Sequence, residues 1–216
     1  MPKTVKSVAK HYLWNTNYDL DARHFESIIK VLEQSADNLN KPQAAHIVLQ
    51  IDTLDFDKSL INETLKLALG KNLNAGYGYY LAMESSQYSG YHIHIMLTFS
   101  TGANLSFTIL TAATDALKNI EGVNTAIALP RKTDRSVSID TKDYYTAFKK
   151  INTDNHYFHN LNDEVQLNDA VHRYSYLAKK ETKEELKGLR RTQPKVPTAS
   201  KTKQEQKKRK IERKKG

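Results

Sequence analysis

Two neighbouring stretches, LNAGYGYYLAME at residues 73–84 and YHIHIMLTFS at residues 91–100, decide the fold. Both are rich in aromatic, β-branched and other apolar residues, the composition of β-strands. The polar loop that joins them, SSQYSG, is too short for a parallel crossover, so the two strands pair antiparallel. Working outward, DLDARHFESIIKVLEQSA (19–36) spaces Phe25, Ile28, Ile29, Val31 and Leu32 as a helix after an acidic start. AHIVLQID (45–52) reads as a strand ending at a polar Asp. DKSLINETLKLALG (57–70) reads as an amphipathic helix with Gly70 at its C-terminal cap. A helical pattern resumes over 104–120, followed by short strands at Thr125–Leu129 and Ser136–Ile139 and a helix over 142–151. Residues 152–165 are polar and irregular, and a last helix is expected from about Asn168 to Leu189. This order predicts an α+β fold with a central antiparallel sheet and helices packed on one face.

Charge divides the chain more informatively than its total of +9. From Lys179 to Gly216 there are 16 Lys/Arg against 5 Asp/Glu, whereas the first 178 residues hold 17 against 19. A nearly neutral body with a cationic tail suits a globular domain carrying a polyanion-binding arm. Arg190, Arg191, Lys207, Lys208, Arg209 and Lys210 are the candidate phosphate contacts; the bland alternative is a tail that only aids solubility. Pro194 and Pro197 punctuate the end of the last helix, and beyond them Ile211 is the one large apolar residue, too little to pack a core. The expected organisation is a helical N-terminal extension over 1–40, a domain over 41–193, and a basic, disordered tail over 194–216. No cysteine is present, which excludes disulfides, thiolate metal sites and cysteine nucleophiles. MPKTVKSVAKHYLW lacks the apolar core of a signal peptide, and no run approaches 18 apolar residues. The expectation is a soluble cytoplasmic protein without membrane contact.

The chemistry concentrates on the second of the two deciding strands. His92 and His94 flank Ile93, so strand alternation puts both imidazoles on one face. Alone the pair is a weak signal, since two surface imidazoles on a half-buried strand look the same. Glu84 ends the preceding strand, and the hairpin would bring its carboxylate towards the same site. One carboxylate and two neutral imidazoles form a three-ligand set with positions left open, suited to Mn²⁺ or Mg²⁺ bound together with a phosphate. Far downstream, HRYSYLAKK (172–180) places Tyr176 and Lys179 three apart on one helical face, with Lys180 a neighbour. Tyr174, two residues from Tyr176, would point elsewhere, so only one of the two can face the metal. His172 lies on the face of Tyr176 but reads as structural. Asp52 either lines the site or ends its strand in solvent, and His156 with His159 has no partner motif. Tyr77, Tyr79, Tyr80, Tyr88 and Tyr91 crowd the hairpin, some as core and some available to stack on bases.

Together, AMESSQYSGYHIHIML, RYSYLAKK and AHIVLQID resemble three motifs of the HUH endonuclease superfamily: the histidine pair with an acidic residue upstream, the tyrosine motif, and the first strand motif. More narrowly, Glu84, Gly90-Tyr91-His92-Ile93-His94, Tyr176-Leu177-Ala178-Lys179 and GLRRTQ resemble inovirus-type replication initiators. The resemblance covers roughly residues 45–193. It implies an HUH/RRM-like sheet and a divalent metal, Mn²⁺ or Mg²⁺, held by His92, His94 and Glu84. It further implies attack by Tyr176 on single-stranded origin DNA, with a 5′-phosphotyrosine intermediate, a free 3′-hydroxyl and assistance from Lys179. Lys180 and Tyr174 are the substitutes for Lys179 and Tyr176. The close spacing of the two tyrosines departs from initiators whose paired tyrosines share a face, which argues for one nucleophile. No GxxxxGK[ST] run occurs, so unwinding would need a separate helicase. Competing expectations are a relaxase or transposase of the same superfamily, or a non-catalytic DNA- or RNA-binding regulator.

Overall fold

The computed structural model describes residues 3–9, 11–53, 55–86, 90–102, 104–129, 157–180 and 192–197. The strand at 136–139, the helix at 142–151, residues 181–189 of the last helix, and Tyr88, His156, Arg190, Arg191, Lys207, Lys208, Arg209 and Lys210 lie outside the described residues.

A short helix α1 (Val5–Ala9) precedes α2 (Ala22–Asn38). Asp21 caps α2, its carboxylate accepting from the backbone N–H of Arg23 at 2.8 Å and of His24 at 3.2 Å. Strand β1 (Pro42–Ile51) follows, then α3 (Ser59–Leu65), which widens into a π-helical turn over Lys66–Asn72. Gly70 therefore lies inside a helical turn, not at the cap expected from the sequence. The deciding hairpin is β2 (Tyr77–Ser86) and β3 (Gly90–Ser100), followed by α4 (Ser106–Lys118) and β4 (Val123–Leu129). Beyond them are β5 (His159–Asn160), α5 (Glu164–Ser175) with a 3-10 turn over Tyr176–Ala178, and β6 (Thr192–Lys195).

The fold is α+β around one six-stranded antiparallel sheet of order β4-β1-β3-β2-β6, with β5 paired to β1 beside β4. Strand β6 takes in Pro194 and Lys195, which the sequence reading gave to the tail. Its only partner among the described residues is β2, so it is an edge strand, where the missing proline N–H can be tolerated. Gly78 makes that pairing close: a Cβ added there would stand 2.8 Å from the Lys195 carbonyl and 2.6 Å from Pro197 Cδ.

Helices cover both faces of the sheet, which corrects the expectation of one. On the first face Ile47, Leu49, Leu81, Ile93, Ile95 and Leu97 pack with Ile61 and Leu65 of α3 and Leu110 and Leu117 of α4. On the second, Ala44, Tyr80, Ala82 and Met96 pack with Phe25, Ile28 and Leu32 of α2 and Val171 and Tyr174 of α5. The reason lies in runs such as Tyr79-Tyr80-Leu81-Ala82-Met83, apolar at every position and buried throughout. A strand without a polar face has to be covered on both sides. Each large side chain so buried contributes roughly 1.5–3 kcal/mol. Helix α2, which the sequence reading set within an extension, thus shares a core with the sheet. Among the described residues no helix is long and apolar enough to cross a membrane.

Candidate metal centre

The second face turns polar towards the β2–β3 turn. Residues directly opposite on paired strands share a face, and the register sets Glu84 opposite His92, Ala82 opposite His94, and Tyr80 opposite Met96. His94 in turn stands opposite Val48 of β1, and Met96 opposite His46. The hairpin alone therefore gathers Glu84, His92 and His94 at one point. Glu84 Oε2 lies 3.6 Å from His92 Nε2, 3.4 Å from His94 Nε2 and 3.0 Å from Lys179 Nζ. The Glu84 residue is 2% exposed, and its Oε1 has no hydrogen-bond partner among the described residues.

These three residues fit a divalent cation. Their ligand atoms lie within 4.8 Å of one another. Donors about 2.0–2.2 Å from one ion stand roughly 3.0–3.5 Å apart, near the two carboxylate–imidazole separations found. The unsatisfied carboxylate oxygen supplies a further lone pair, and imidazole with carboxylate suits a borderline or hard metal. Burial alone would raise the Glu84 carboxyl, but hydrogen bonds from His92 and His94 and the charge of Lys179 outweigh it and hold it below its ordinary range. Burial pushes the His94 imidazole down, against the pull of Glu84. An ionised carboxylate and a neutral imidazole are the forms that bind metal.

Tyr176 arrives from the other layer. Its hydroxyl is 2.8 Å from His94 Nδ1 and 3.1 Å from Nε2 of His46. The two nitrogens of an imidazole point in different directions, so Tyr176 and Glu84 contact different edges of the His94 ring. Burial, then the charge of Glu84, raises the Tyr176 phenol well above its ordinary range. Tyr174, the alternative, is fully buried, edge-on to His46 and His159, with no hydrogen-bond partner for its hydroxyl among the described residues. The structure thus brings Tyr176 to the histidines and turns Tyr174 into the core.

The local route to this differs from the continuous helix expected from the sequence. Helix α5 stops at Ser175, because the backbone beyond it bonds elsewhere. Asp21 N–H donates to the Ala178 carbonyl at 2.8 Å, Lys180 N–H to the Asp19 carbonyl at 2.9 Å, and Asn15 N–H to Ser175 Oγ at 2.9 Å. Leu20 and Lys179 form an isolated antiparallel bridge. Residues 15–21 act as a strap that tightens Tyr176–Ala178 into a 3-10 turn, in which positions three apart nearly eclipse. Lys179 consequently stays beside Tyr176, its Nζ 5.5 Å from the ring centroid, but its ion pair is with Glu84. Lys180 points outward and pairs with Asp19 at 2.9 Å.

Other sequence candidates lie elsewhere. Asp52 is exposed and accepts from Asn124 Nδ2 at 2.6 Å, with no contact to the centre. His172 is exposed. His159 is buried and pairs with Asp169 at 3.2 Å. Tyr77, Tyr79 and Tyr80 are core, and Tyr91 is half-buried against it. Sequence reasoning missed three neighbours: His46; Arg173, whose Nη2 is 3.5 Å from His46 Nδ1; and Tyr18, at the surface with Lys179 Nζ 5.7 Å from its ring centroid. The signal available for His46 was an ionisable residue inside the apolar run AAHIVL; Arg173 and Tyr18 carried none. Compared with known proteins, the chain matches no family model, no curated protein and no solved structure.

Proposed function

We propose that this chain is a metal-dependent endonuclease and strand transferase that nicks and rejoins single-stranded DNA at a replication origin, with Tyr176 as nucleophile. One observation carries the reading. A donor set of buried Glu84 with half-buried His92 and His94 meets, at one point of the fold, a tyrosine hydroxyl 82 residues away in sequence from its partner His94. The motif resemblance to HUH replication initiators supports the same assignment, and the cationic C-terminal segment suits a polyanionic substrate.

Glu84, His92 and His94 would hold the divalent cation, with Mn²⁺ and Mg²⁺ the candidates. When bound, it would supply Lewis-acid polarisation of the scissile phosphate and offset the Glu84 charge that raises the Tyr176 phenol. Forming phenolate from an ordinary tyrosine at pH 7 costs about 4 kcal/mol, and burial adds to that cost here. Lys179, paired with Glu84, is the protein's own cation within reach of the phosphate. In the transfer itself the Tyr176 oxygen forms a bond to phosphorus and gives up its proton to solvent. The bond from phosphorus to the 3′ oxygen breaks, and that oxygen takes a proton to become a 3′-hydroxyl. The phosphodiester energy is kept in the tyrosine ester, so rejoining needs no ATP.

A second reading has one observation in its favour. Tyr176 contacts the Nδ1 edge of His94, as a residue that only buttresses a metal ligand would. In that case the chain is a non-catalytic metal- and nucleic-acid-binding protein. Incubating the protein with a 5′-labelled and a 3′-labelled single-stranded origin fragment and Mn²⁺, followed by denaturing electrophoresis, separates the two. The endonuclease forms an adduct carrying the 3′ label, lost with EDTA and in Tyr176→Phe but kept in Tyr174→Phe. No adduct in the wild type, or loss only in Tyr174→Phe, overturns the assignment.

A further inference from the structure

The structure assigns His46 a role that no motif pointed to: we infer that it is a positioning residue that donates a hydrogen bond from Nε2 to the Tyr176 hydroxyl oxygen, in a tautomer set by Arg173. The inference rests on Tyr176 being the nucleophile and adds the group that holds it.

His46 is the one ionisable side chain in β1, and it is 2% exposed beneath α5. A polar group kept in so apolar a place costs stability unless its hydrogen bonds are made. Two of its contacts are at bonding distance and on the same nitrogen: Nε2 is 3.1 Å from Tyr176 Oη and 3.0 Å from His94 Nδ1. Its other nitrogen, Nδ1, faces Arg173 Nη2 at 3.5 Å, the long limit of a hydrogen bond.

The proton inventory follows from the partners. A neutral imidazole has one N–H and one lone pair, and guanidinium only donates. The lone pair of His46 therefore sits on Nδ1, towards Arg173, and the N–H sits on Nε2, towards Tyr176. His46 cannot then serve as the base that accepts the phenolic proton. His94 has freedom that His46 lacks. With its Nε2 proton donated to Glu84, its Nδ1 accepts from the Tyr176 hydroxyl. With Nε2 engaged as a metal ligand, Nδ1 must carry the proton and donates towards the same oxygen. The His46 N–H has the Tyr176 oxygen within reach in both arrangements. In the first it is shared with His94 Nδ1, 3.0 Å away. In the second, where that nitrogen carries its own proton, the Tyr176 oxygen is the acceptor left of the two, so His46 keeps the oxygen in place while its other partner changes. Holding the attacking atom in register is worth large factors in rate, since a misplacement of about 1 Å can cost about 100-fold.

The test uses the full-length chain. In His46→Leu, which keeps apolar volume, the single-turnover cleavage rate is expected to fall about 10- to 100-fold. The half-saturating concentrations of oligonucleotide and Mn²⁺ should stay within about threefold. His46→Gln, whose side-chain amide restores a donor near Nε2, should recover most of the rate. A merely structural role predicts lower thermal stability in both variants with the rate per folded molecule unchanged. The contact is read independently of activity by 3-fluorotyrosine at position 176. Its ¹⁹F resonance should move in His46→Leu and return towards the wild-type position in His46→Gln. An unmoved resonance, or an unchanged rate in His46→Leu, overturns the inference. Absence of any adduct from the wild type sinks the endonuclease reading instead, and the ¹⁹F comparison still decides the hydrogen bond. Should His46→Leu fail to fold, Arg173→Met carries the test: it frees the His46 tautomer and should lower the rate with the oligonucleotide affinity kept.

Discussion

Replacing Lys179 by methionine should tighten metal binding while slowing strand cleavage, two effects of opposite sign from one substitution. Lys179 Nζ sits 3.0 Å from Glu84 Oε2, the same oxygen that faces both histidines. A cation about 2.1 Å from that oxygen would lie at most about 5 Å from the ammonium if Lys179 did not move. The repulsion between charges of two and one at about 5 Å is about 1.7 kcal/mol in a water-like medium and about 6.6 kcal/mol at an effective dielectric of about 20. The lysine side chain is 14% exposed and flexible, so it can swing outward and relieve most of the larger figure. What it cannot avoid is losing the Glu84 ion pair when the metal enters. We expect the variant to bind Mn²⁺ about 10- to 30-fold more tightly, corresponding to about 1.4–2 kcal/mol. Isothermal titration calorimetry on wild type, Lys179→Met and Lys179→Arg at one pH measures this, and the arginine variant should resemble wild type. Equal or weaker affinity in Lys179→Met would refute the claim that the ammonium and the metal compete for one carboxylate. Cleavage at saturating Mn²⁺ should nevertheless be slower in Lys179→Met, because the phosphate loses its protein cation.

Two further outcomes follow from the same geometry. Wild-type protein should melt at a higher temperature with Mn²⁺ and return to its starting value with EDTA, by about 2.7 kcal/mol when the free ion is 100-fold above its dissociation constant, whereas Glu84→Gln should show little response; an equal shift in both would remove Glu84 from the ligand set. Tyr174→Phe deletes a buried hydroxyl with no hydrogen-bond partner among the described residues and keeps the ring against His46 and His159. Its stability in urea titration should match wild type or exceed it by up to about 1 kcal/mol, and a loss of more than about 1 kcal/mol would mean that the hydroxyl is bonded after all.

Much of the site was legible because its first three members are neighbours on one hairpin. The alternation in YHIHIM puts His92 and His94 on one face, and the short loop leaves little freedom in how Glu84 meets them. The sheet and the main helices were legible for the same reason, since each announces itself within a window of about a dozen residues. Errors came where local pattern was silent about the other layer. The apolar run in β2 implies cover on both faces but does not say which elements supply it, and Pro194 looked like a stop when an edge strand could accept it. The continuous helix through Tyr176 failed because residues 15–21, more than 150 positions away, take up the backbone groups that would have extended it.

By itself, then, the order of residues determined the antiparallel hairpin and the Glu-His-His cluster on it, since strand period and turn length are properties of adjacent positions. Only the tertiary structure decided that Tyr176 and not Tyr174 reaches the histidines, that His46 lies under its hydroxyl, and that Lys179 spends its charge on Glu84. Those contacts join β1, β2, β3 and the turn after α5, and no period along the chain encodes the rotation of one layer over another. That rotation is set by how Val171, Tyr174 and Leu177 pack with α2 against Ala44, Tyr80 and Met96, a sum of many weak apolar contacts that acts only once the whole sheet is assembled.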